Sequence, residues 1–521
     1  MQRIVAFRTK TTKKNNFLPN MPLHFNLFLY LCPKIKKHIM NLLGWIVQAV
    51  DIINDYLWSY VVIVLLVGCA LYFTVRSKGV QFRLIKDMIK VIVNRPIYNK
   101  VGDDAEKSAD TNDGRLEKIG SFQAFAISLS SRVGTGNLAG VASAIFYGGP
   151  GAVFWMWAMA LLGAATAFVE ATLAQLYKRR GKDSFYGGPA YYMQHGLHKK
   201  WMGVLFAILI TITFGMANQV IQSNTLCDAL ADASGIEQEW IGIVLTAATL
   251  VIIFGGITRI SHFASIVVPF MAIGYILLSI VVLIMNITEI PDMMALIVKN
   301  AFGVDQAVGG MLGTAIMQGV KRGLFSNEAG EGSAPNAAAI ASTSHPVKQG
   351  LLQSLGVFSD TIVICSCTAF VILLSGIYDS GRDGIILTKY ALVTHVGQAG
   401  GLFITAAIFL FAYSTIIANY FYGETNIRFI TQGKTAINAF RIITGATVML
   451  GSMVTLKTAW SFVDLAMGMM TLVNLVAIIQ LSPKVFALLD NYMQQRRQHR
   501  DPVFKRTMMP EIEKDIECWE E

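Results

Sequence analysis

The sequence predicts an all-α polytopic membrane protein in which two of the spanning helices are broken part-way across. Three observations lead there. The chain of 521 residues is 54% hydrophobic and 15% charged, with a mean hydropathy of +0.51, whereas a soluble domain carries about a quarter charged residues. Apolar stretches near twenty residues recur along it, long enough at about 1.5 Å per residue to cross a hydrocarbon core of about 30 Å. The third is residues 325–335, which read F-S-N-E-A-G-E-G-S-A-P. They place Asn327, Glu328, Glu331, two serines and two glycines where a spanning helix should be most apolar. Hydrocarbon offers no hydrogen bonds to a non-helical backbone, so such a break must be buried in protein or line a watery cavity. Ionisable groups at that depth mark function.

Eleven candidate spans follow in order: 56–75, 121–146, 151–177, 201–223, 240–257, 262–286, 307–340, 347–376, 399–422, 438–456 and 460–480. The seventh would run roughly 50 Å as one straight helix, too long for a single crossing. Basic residues give the orientation. Arg76, Lys78, Arg83, Lys86, Lys90 and Arg95 follow the first span, Lys178, Arg179, Arg180 and Lys182 the third, and Arg496, Arg497, Arg500, Lys505 and Arg506 lie in the tail. The alternate connections 147–150 and 224–239 hold no Lys or Arg, and 287–306 holds Lys299 alone. The positive-inside rule puts the basic loops and the C-terminus in the cytoplasm and the N-terminus outside, in the inner membrane of a prokaryotic cell. The net charge of +10 is thereby explained by membrane flanks, and no nucleic-acid partner is implied.

Residues 1–39 conflict with that orientation, since Arg3, Arg8, Lys10, Lys13, Lys14, Lys34, Lys36 and Lys37 resist export. They read as a non-native upstream extension of the reading frame, with translation starting at Met40. The apolar run 24–32 resembles a signal peptide but has no small-residue cleavage site after it. The first extra helix and its loop occupy 40–120. Within it 80–92 alternates apolar and basic residues at helical spacing, as a helix lying on the inner leaflet or packed on the protein does, and 102–118 reads as a polar linker. The six cysteines show no CxxC pair or metal-ligand spacing.

A transporter's broken helices come in pairs, one per structural repeat. The second span supplies the partner: Ser130-Ser131-Arg132-Val133-Gly134-Thr135-Gly136-Asn137 sits in mid-segment. Its glycines let the backbone leave the helix, and a half-helix beginning near Asn137 aims its positive end at an anion. Five spans from the first break (121–286) and five from the second (307–480), joined by a linker (287–306), give a leucine-transporter-like five-plus-five inverted repeat. One extra N-terminal helix precedes it and a cytoplasmic tail (481–521) follows. The repeat rests on spacing alone.

The residues also resemble a family. The run 131–137, the run Gly148-Gly149-Pro150-Gly151-Ala152-Val153-Phe154-Trp155-Met156-Trp157 and above all 326–335 are similar to the alanine or glycine:cation (sodium) symporter family, within the amino acid-polyamine-organocation superfamily. The resemblance covers 40–490. It implies a leucine-transporter fold and sodium-driven uptake of a small neutral amino acid, with sodium as coupling ion, no cofactor, and a monomer as the working unit.

Roles follow from the chemistry of a zwitterion. The amides of Gly134, Thr135 and Gly136 with the Asn137 side chain suit its carboxylate. Carbonyls ending the half-helix near Phe325 and Ser326 suit its ammonium, and Asn327 can hold the unwound backbone together. Gln222, in the polar run 218–224, resembles a family substrate contact; the run otherwise reads as a helix end at the outer interface. In the ninth span the resemblance assigns Ser414 and Thr415 to sodium, with carbonyls near Ser130 and Val133; otherwise both hydroxyls bond back to their own helix. Asn419 lies one turn beyond Thr415, on the same face and beside the substrate. The family carries tryptophan there. Asparagine leaves room and adds a donor and an acceptor, which points past alanine and glycine to glutamine. Glu328 reads as a structural carboxylate accepting amides of the unwound segment, and Glu331 as facing water. Arg132 either lines the cytoplasmic vestibule or pairs with Glu328 or Glu331. Gly136 with Gly140, and Gly309 with Gly313, offer close helix approach.

An enzyme is disfavoured, because HExxH, GxSxG and paired intramembrane aspartates are all missing. A channel would show a more symmetric filter and fewer spans. A proton-coupled transporter of the same fold is the remaining alternative.

Overall fold

The computed structural model describes residues 33–93, 119–181, 184–303 and 309–520. The extension expected at 1–39 falls outside them up to residue 32, as does the 102–118 linker. The described chain is helical apart from one short antiparallel pair, β1 (Arg179–Arg180) with β2 (Phe185–Tyr186).

The helices run in this order: α1 (Trp45–Arg76), α2 (Ile85–Ile92), α3 (Ser121–Arg132), α4 (Val141–Gly148), α5 (Ala152–Leu176), α6 (Pro189–His195), α7 (Lys200–Ser234), α8 (Gln238–Ile253), α9 (Gly256–Met285), α10 (Ile290–Ala301), α11 (Gly309–Asn327), α12 (Ala334–Ala339), α13 (Pro346–Leu374), α14 (Gly384–Val396), α15 (Gln398–Ile430), α16 (Lys434–Gly451) and α17 (Leu456–Arg497). Among the described residues seven stretches are long and apolar enough to cross a membrane: α1, α5, α7, α13, α15, α17 and His262–Met285 within α9. The protein is thus a helical polytopic membrane protein. Helices α10 and α14 lie in connections where the sequence reading had a linker or nothing, being too short for the spanning pattern.

Two helices form the centre. Helix α5 is lined with small residues; Ala160, Ala164 and Ala167 pack against Ala329 of the second break and Val357 of α13. A Cβ on Gly163 would lie 3.0 Å from the Ala329 Cβ, so the absence of a side chain sets how near the break comes. Helix α15 is buried almost continuously from Phe411 to Asn426. Its polar residues therefore face protein and must find partners there.

Both expected breaks are present. Helix α3 ends at Arg132, Val133 leaves helical geometry (φ −81°, ψ 82°), and the chain re-enters a helix through a wide π turn, Gly136–Gly140. Helix α11 ends at Asn327. Glu328 (φ +57°), Gly330 (φ +94°) and Gly332 (φ +85°) turn the backbone left-handed before α12 resumes with Pro335 near its start. Glycine adopts that region freely; Glu328 does so under strain, and strained backbone gathers at functional sites. Three π turns surround the breaks, at Gly136–Gly140, Thr213–Ala217 in α7 and Phe358–Cys365 in α13, a distortion common at functional sites.

Elsewhere the structure changes the reading. The run 218–224 is not a helix end: α7 continues to Ser234, and Gln219, Gln222, Ser223 and Asn224 are buried. The loop helix near 80–92 packs on the protein, burying Val80, Leu84, Met88 and Val91 while Phe82, Ile85 and Ile89 stay exposed. Its Asp87 pairs with Arg496 of α17 (2.8 Å). A Cβ on Gly313 would meet nothing within 4 Å, so close approach there is not observed.

The tail packs on the protein. Helix α17 has 42 residues, roughly twice a membrane crossing, and the segment beyond it folds back. Trp519 Nε1 donates to the Gln175 carbonyl (3.1 Å) and Lys178 Nζ lies over the Trp519 ring (4.5 Å). Lys348 pairs with Asp501 (2.8 Å), Arg179 with Glu517 (3.2 Å) and Arg180 with Glu520 (3.1 Å). The tail thereby spans the ends of α5, α13 and α17.

Candidate functional site at the paired helix breaks

The last turn of a helix leaves carbonyls without amide partners. At the end of α3 that of Ser130 accepts from Thr415 Oγ1 of α15 (2.8 Å), and that of Val133 lies 3.4 Å from the same oxygen. Ser130 Oγ donates to the Ser414 carbonyl (2.9 Å). The Ser414 hydroxyl itself bonds back to Phe411 O in its own helix (3.0 Å), so of the two adjacent hydroxyls only Thr415's reaches the break. The result is a small cluster of oxygens joining α3 to α15.

The amides of the first break are in use. Gly134 N–H donates to Asn137 Oδ1 (2.9 Å) and Thr135 N–H to Gln222 Oε1 (3.1 Å). A Cβ on Gly134 would overlap Thr415 Oγ1, and one on Gly136 would sit 2.9 Å from the Phe325 ring and 3.3 Å from the Ser326 Cα. The two breaks touch here.

On the other side, Ser326 Oγ donates to Asp360 Oδ2 (2.6 Å) and Asn137 Nδ2 donates to Asp360 Oδ1 (2.6 Å). Asn327 Nδ2 donates to Thr361 Oγ1 (3.2 Å), and its Oδ1 accepts from the Ala329 amide (3.1 Å), across the unwound turn. Phe325 makes an edge contact with Trp460 (4.7 Å between centroids). Arg322 lies over the Trp460 ring (3.8 Å) and pairs with Asp464 at 2.7 Å. On the tail side Ser342 N–H donates to the Ile119 carbonyl (2.9 Å). Thr135, Asn137, Gln222, Phe325, Ser326, Asn327, Thr415 and Asn419 are all buried, so the site is occluded.

Asn419 meets Ser131, with Ser131 Oγ 2.7 Å from Asn419 Oδ1 and 2.5 Å from Glu328 Oε1. One hydroxyl has one proton, so it cannot donate to both. Either the amide turns its NH2 toward Ser131 or the carboxyl contributes a proton; amide orientation follows the network. In both cases one arm of the fully buried Asn419 amide stays unpartnered, and a buried polar group without a partner calls for one.

The glutamates differ from the sequence reading. Glu328 is hydrogen-bonded to the hydroxyls of Ser131 and Ser333, both at 2.5 Å. The carboxylate that takes an amide of the unwound segment is Glu170 of α5, which accepts from Gly330 N–H (3.2 Å) and from Asn474 Nδ2 (2.9 Å). Asn474 also donates to the Gly330 carbonyl (2.9 Å) and accepts from Tyr192. A helix lying behind the break can reach its amides, whereas Glu328's own left-handed turn carries its side chain away from them. Glu331 is buried rather than facing water. Arg132 Nη1 donates to the Gln353 carbonyl (3.3 Å), so its hydrogen bond goes to backbone and not to Glu328 or Glu331. Sequence reasoning missed Glu170 and Asp360, although each is a lone carboxylate inside an apolar stretch, the signal that should have found them. Among the described residues no three His, Cys, Asp or Glu side chains gather to hold a metal ion.

Two broken helices meeting inside a multi-pass helical membrane protein, with backbone oxygens and polar side chains between them, are the arrangement of a secondary transporter. The chain belongs to the sodium:alanine symporter family, whose sequence profile matches residues 43–506, a family of transporters and not of enzymes. Among its relatives is the probable sodium/glutamine symporter GlnT of Bacillus subtilis (strain 168), 48% identical over 471 residues, 90% of this chain and 95% of that protein. The amino-acid carrier protein AlsT of the same organism is 48% identical over 472 residues, 91% and 97% of the two chains. The sodium/proton-dependent alanine carrier protein of Bacillus sp. (strain PS3) is 38% identical over 404 residues, 74% and 91%. A solved nucleobase-cation-symport-1 family transporter, closed with bromovinylhydantoin bound, aligns over 76% of this chain and 82% of that one at 15% identity and a TM-score of 0.39, a likeness too loose to build on.

Proposed function

We propose that the protein is a sodium-driven importer of a neutral amino acid that works by alternating access, with glutamine as its preferred substrate. The observation that carries the reading is Thr415, whose hydroxyl sits on the carbonyls of Ser130 and Val133 at the first break. In place of that hydrogen bond, a sodium ion would take the same hard oxygens, with Ser414 assisting. The substrate carboxylate would displace Asn137 and Gln222 from the amides of Gly134 and Thr135, joined by Gly136. Its ammonium would meet the carbonyls at Phe325 and Ser326, with Asn327 and Thr415 completing the wall. The unpartnered arm of Asn419 would serve a side-chain amide, which alanine lacks.

On this reading the chain crosses the membrane eleven times. Helix α1 is the extra span; the first repeat comprises α3–α4, α5, α7, α8 and α9, and the second α11–α12, α13, α15, α16 and α17. The basic tail side faces the cytoplasm of a bacterial cell, and the Arg322–Asp464 stack is the outer closure. The test is uptake of labelled amino acids by proteoliposomes with and without a sodium gradient. Saturable uptake of glutamine that needs inward sodium supports the proposal. Uptake driven equally by a proton gradient without sodium, or ion flux without amino acid, refutes it.

A further inference from the structure

Just beyond α1 the chain bends sharply, with Lys78 (φ +55°) and Gly79 (φ +64°) both left-handed. The turn Val80–Arg83 and helix α2 are thereby laid against α5 and α13. Residues 80–93 then show three faces. One packs on the protein: Val91 meets Phe125 of α3 and Leu352 of α13, and Asp87 takes Arg496 (2.8 Å) and Tyr492 (3.2 Å) of α17. The second is apolar and uncovered, with Phe82, Ile85, Ile89 and Val93 exposed at spacings of three and four. The third runs beside it and is basic, with Arg83, Lys86 and Lys90 exposed at the same spacing. Asp87 is the segment's only acidic residue, and it is turned inward. Among the described residues no carboxylate pairs with Arg83 or Lys86.

The apolar face lies at membrane depth. The Phe82 ring is 6.1 Å from that of Phe358, within the spanning helix α13. Gln81 Nε2 donates to the carbonyl of Leu161 (3.3 Å), midway along the spanning helix α5. Water does not cover four apolar side chains at that level, and no protein element among the described residues covers them. An apolar row flanked by a basic row is what a helix presents to a leaflet of negative charge.

We propose that residues 80–93 dock anionic phospholipid of the cytoplasmic leaflet, and that the lipid held there sets the position of α3. The apolar row enters the acyl chains, while Arg83 and Lys86 take the phosphates in charge-assisted contacts. A soluble anion would account for the basic row and leave the apolar one unexplained. On the far side, Val91 and Ile92 pack with Phe125 and Leu129 of α3. Lipid that fixes α2 therefore also fixes α3, and with it the turn that carries the Ser130 and Val133 carbonyls. The inference stands apart from the ion and substrate assigned above, because it concerns how the bilayer positions the first broken helix.

The test counts lipids retained by the purified full-length protein in native mass spectrometry, offered phosphatidylglycerol against phosphatidylcholine. It also measures initial uptake of labelled glutamine by proteoliposomes in which phosphatidylglycerol replaces phosphatidylcholine stepwise. The wild type is expected to prefer phosphatidylglycerol, and its uptake to rise several-fold with it. Arg83→Gln with Lys86→Gln is expected to weaken that preference about 25-fold, at about fivefold for each basic side chain near the surface. Its uptake in phosphatidylcholine alone should match the wild type. Should the double variant not fold, Lys86→Gln is expected to weaken the preference about fivefold. Equal retention of the two lipids by the wild type, or an undiminished preference in the variant, overturns the proposal. So does competition by soluble glycerol phosphate, which makes the basic row a soluble-anion site, and uptake indifferent to phosphatidylglycerol overturns the link to α3. Absence of uptake in every lipid would instead overturn the symporter reading, and the lipid count would still decide this one.

Discussion

Replacing Thr415 with valine removes one hydroxyl and little volume, and it separates two roles the geometry gives this side chain. The hydroxyl donates to the Ser130 carbonyl (2.8 Å) and stands 3.4 Å from that of Val133, both at the end of α3. The Ser130 carbonyl lies in buried protein, so losing its donor costs about 1–3 kcal/mol of stability, visible as a modestly lower unfolding temperature without sodium. If Thr415 is also an ion ligand, the larger effect falls on sodium: its half-saturation concentration should rise about 10- to 100-fold, or about 1.4–2.8 kcal/mol. The assay is initial uptake of labelled glutamine against sodium at saturating substrate, with thermal unfolding followed at both low and high sodium. Restoration by Thr415→Ser, which returns the hydroxyl without the methyl, separates ligation from packing. A valine variant with unchanged sodium dependence and a raised substrate KM would refute the ion assignment and leave Thr415 as a substrate contact alone.

Four further substitutions test the site and the tail. Asn419→Trp fills the space beside Ser131, and competition assays should show the glutamine-over-alanine preference falling by about tenfold or more; equal loss for both substrates would remove Asn419 from the side-chain pocket. Gly136→Ala puts a Cβ 2.9 Å from the Phe325 ring, whereas Gly313→Ala meets nothing within 4 Å. Transport should therefore fail in the first with expression retained and persist in the second, and matching phenotypes would mean the breaks do not depend on close contact. Trp519→Ala removes the donor to Gln175 and the ring under Lys178. About 3 kcal/mol of tail docking should go with it, read as faster limited proteolysis after Arg500, and an unchanged digestion rate would show that the tail is held by its ion pairs alone.

Most of the helical framework was legible because the membrane enforces it. A long apolar stretch has few alternatives to a helix, and polar residues inside one stand out. Residues 325–335 and 130–137 announced both breaks in that way, and Thr415 could be placed beside Ser130 and Val133 from the family resemblance. What stayed hidden was any partner chosen by packing across helices. Glu170 is one carboxylate among alanines, and nothing in its neighbourhood says that it reaches the Gly330 amide 160 residues away. Asp360 is similar; its meaning depends on the π turn that brings it to Asn137 and Ser326. For the run 218–224 polarity left two readings, a substrate contact at Gln222 or an emerging helix end, and the burial that excludes the helix end arises from carbonyls of α15, α16 and the turn after it: Gln219 on Ile416 (3.0 Å), Ser223 on Val448 (2.6 Å) and Asn224 on Val454 (2.7 Å).

The contacts of the last turn of α3 bear on how ion and substrate could be coupled without direct contact. Ser130 and Ser131 are adjacent, but their roles diverge. The Ser130 carbonyl belongs to the oxygen cluster with Thr415, while the Ser131 hydroxyl joins Asn419 to Glu328. An ion drawing in the Ser130 and Val133 carbonyls would fix the geometry of that turn, and the Ser131 hydroxyl with it. The one proton of Ser131 then has a settled direction, and the orientation of the Asn419 amide follows from it. Thr415 and Asn419 lie one turn apart on the same face of α15, so the helix transmits the same constraint from its own side. The ion would thereby select the amide face that Asn419 shows to a substrate side chain. If so, the Thr415→Val variant should lose discrimination between glutamine and alanine along with sodium affinity, and Ser131→Ala should lose discrimination while its sodium half-saturation stays near the wild-type value. Retention of full discrimination in Ser131→Ala would break this link and leave the two sites coupled only through the closing of the helices around them.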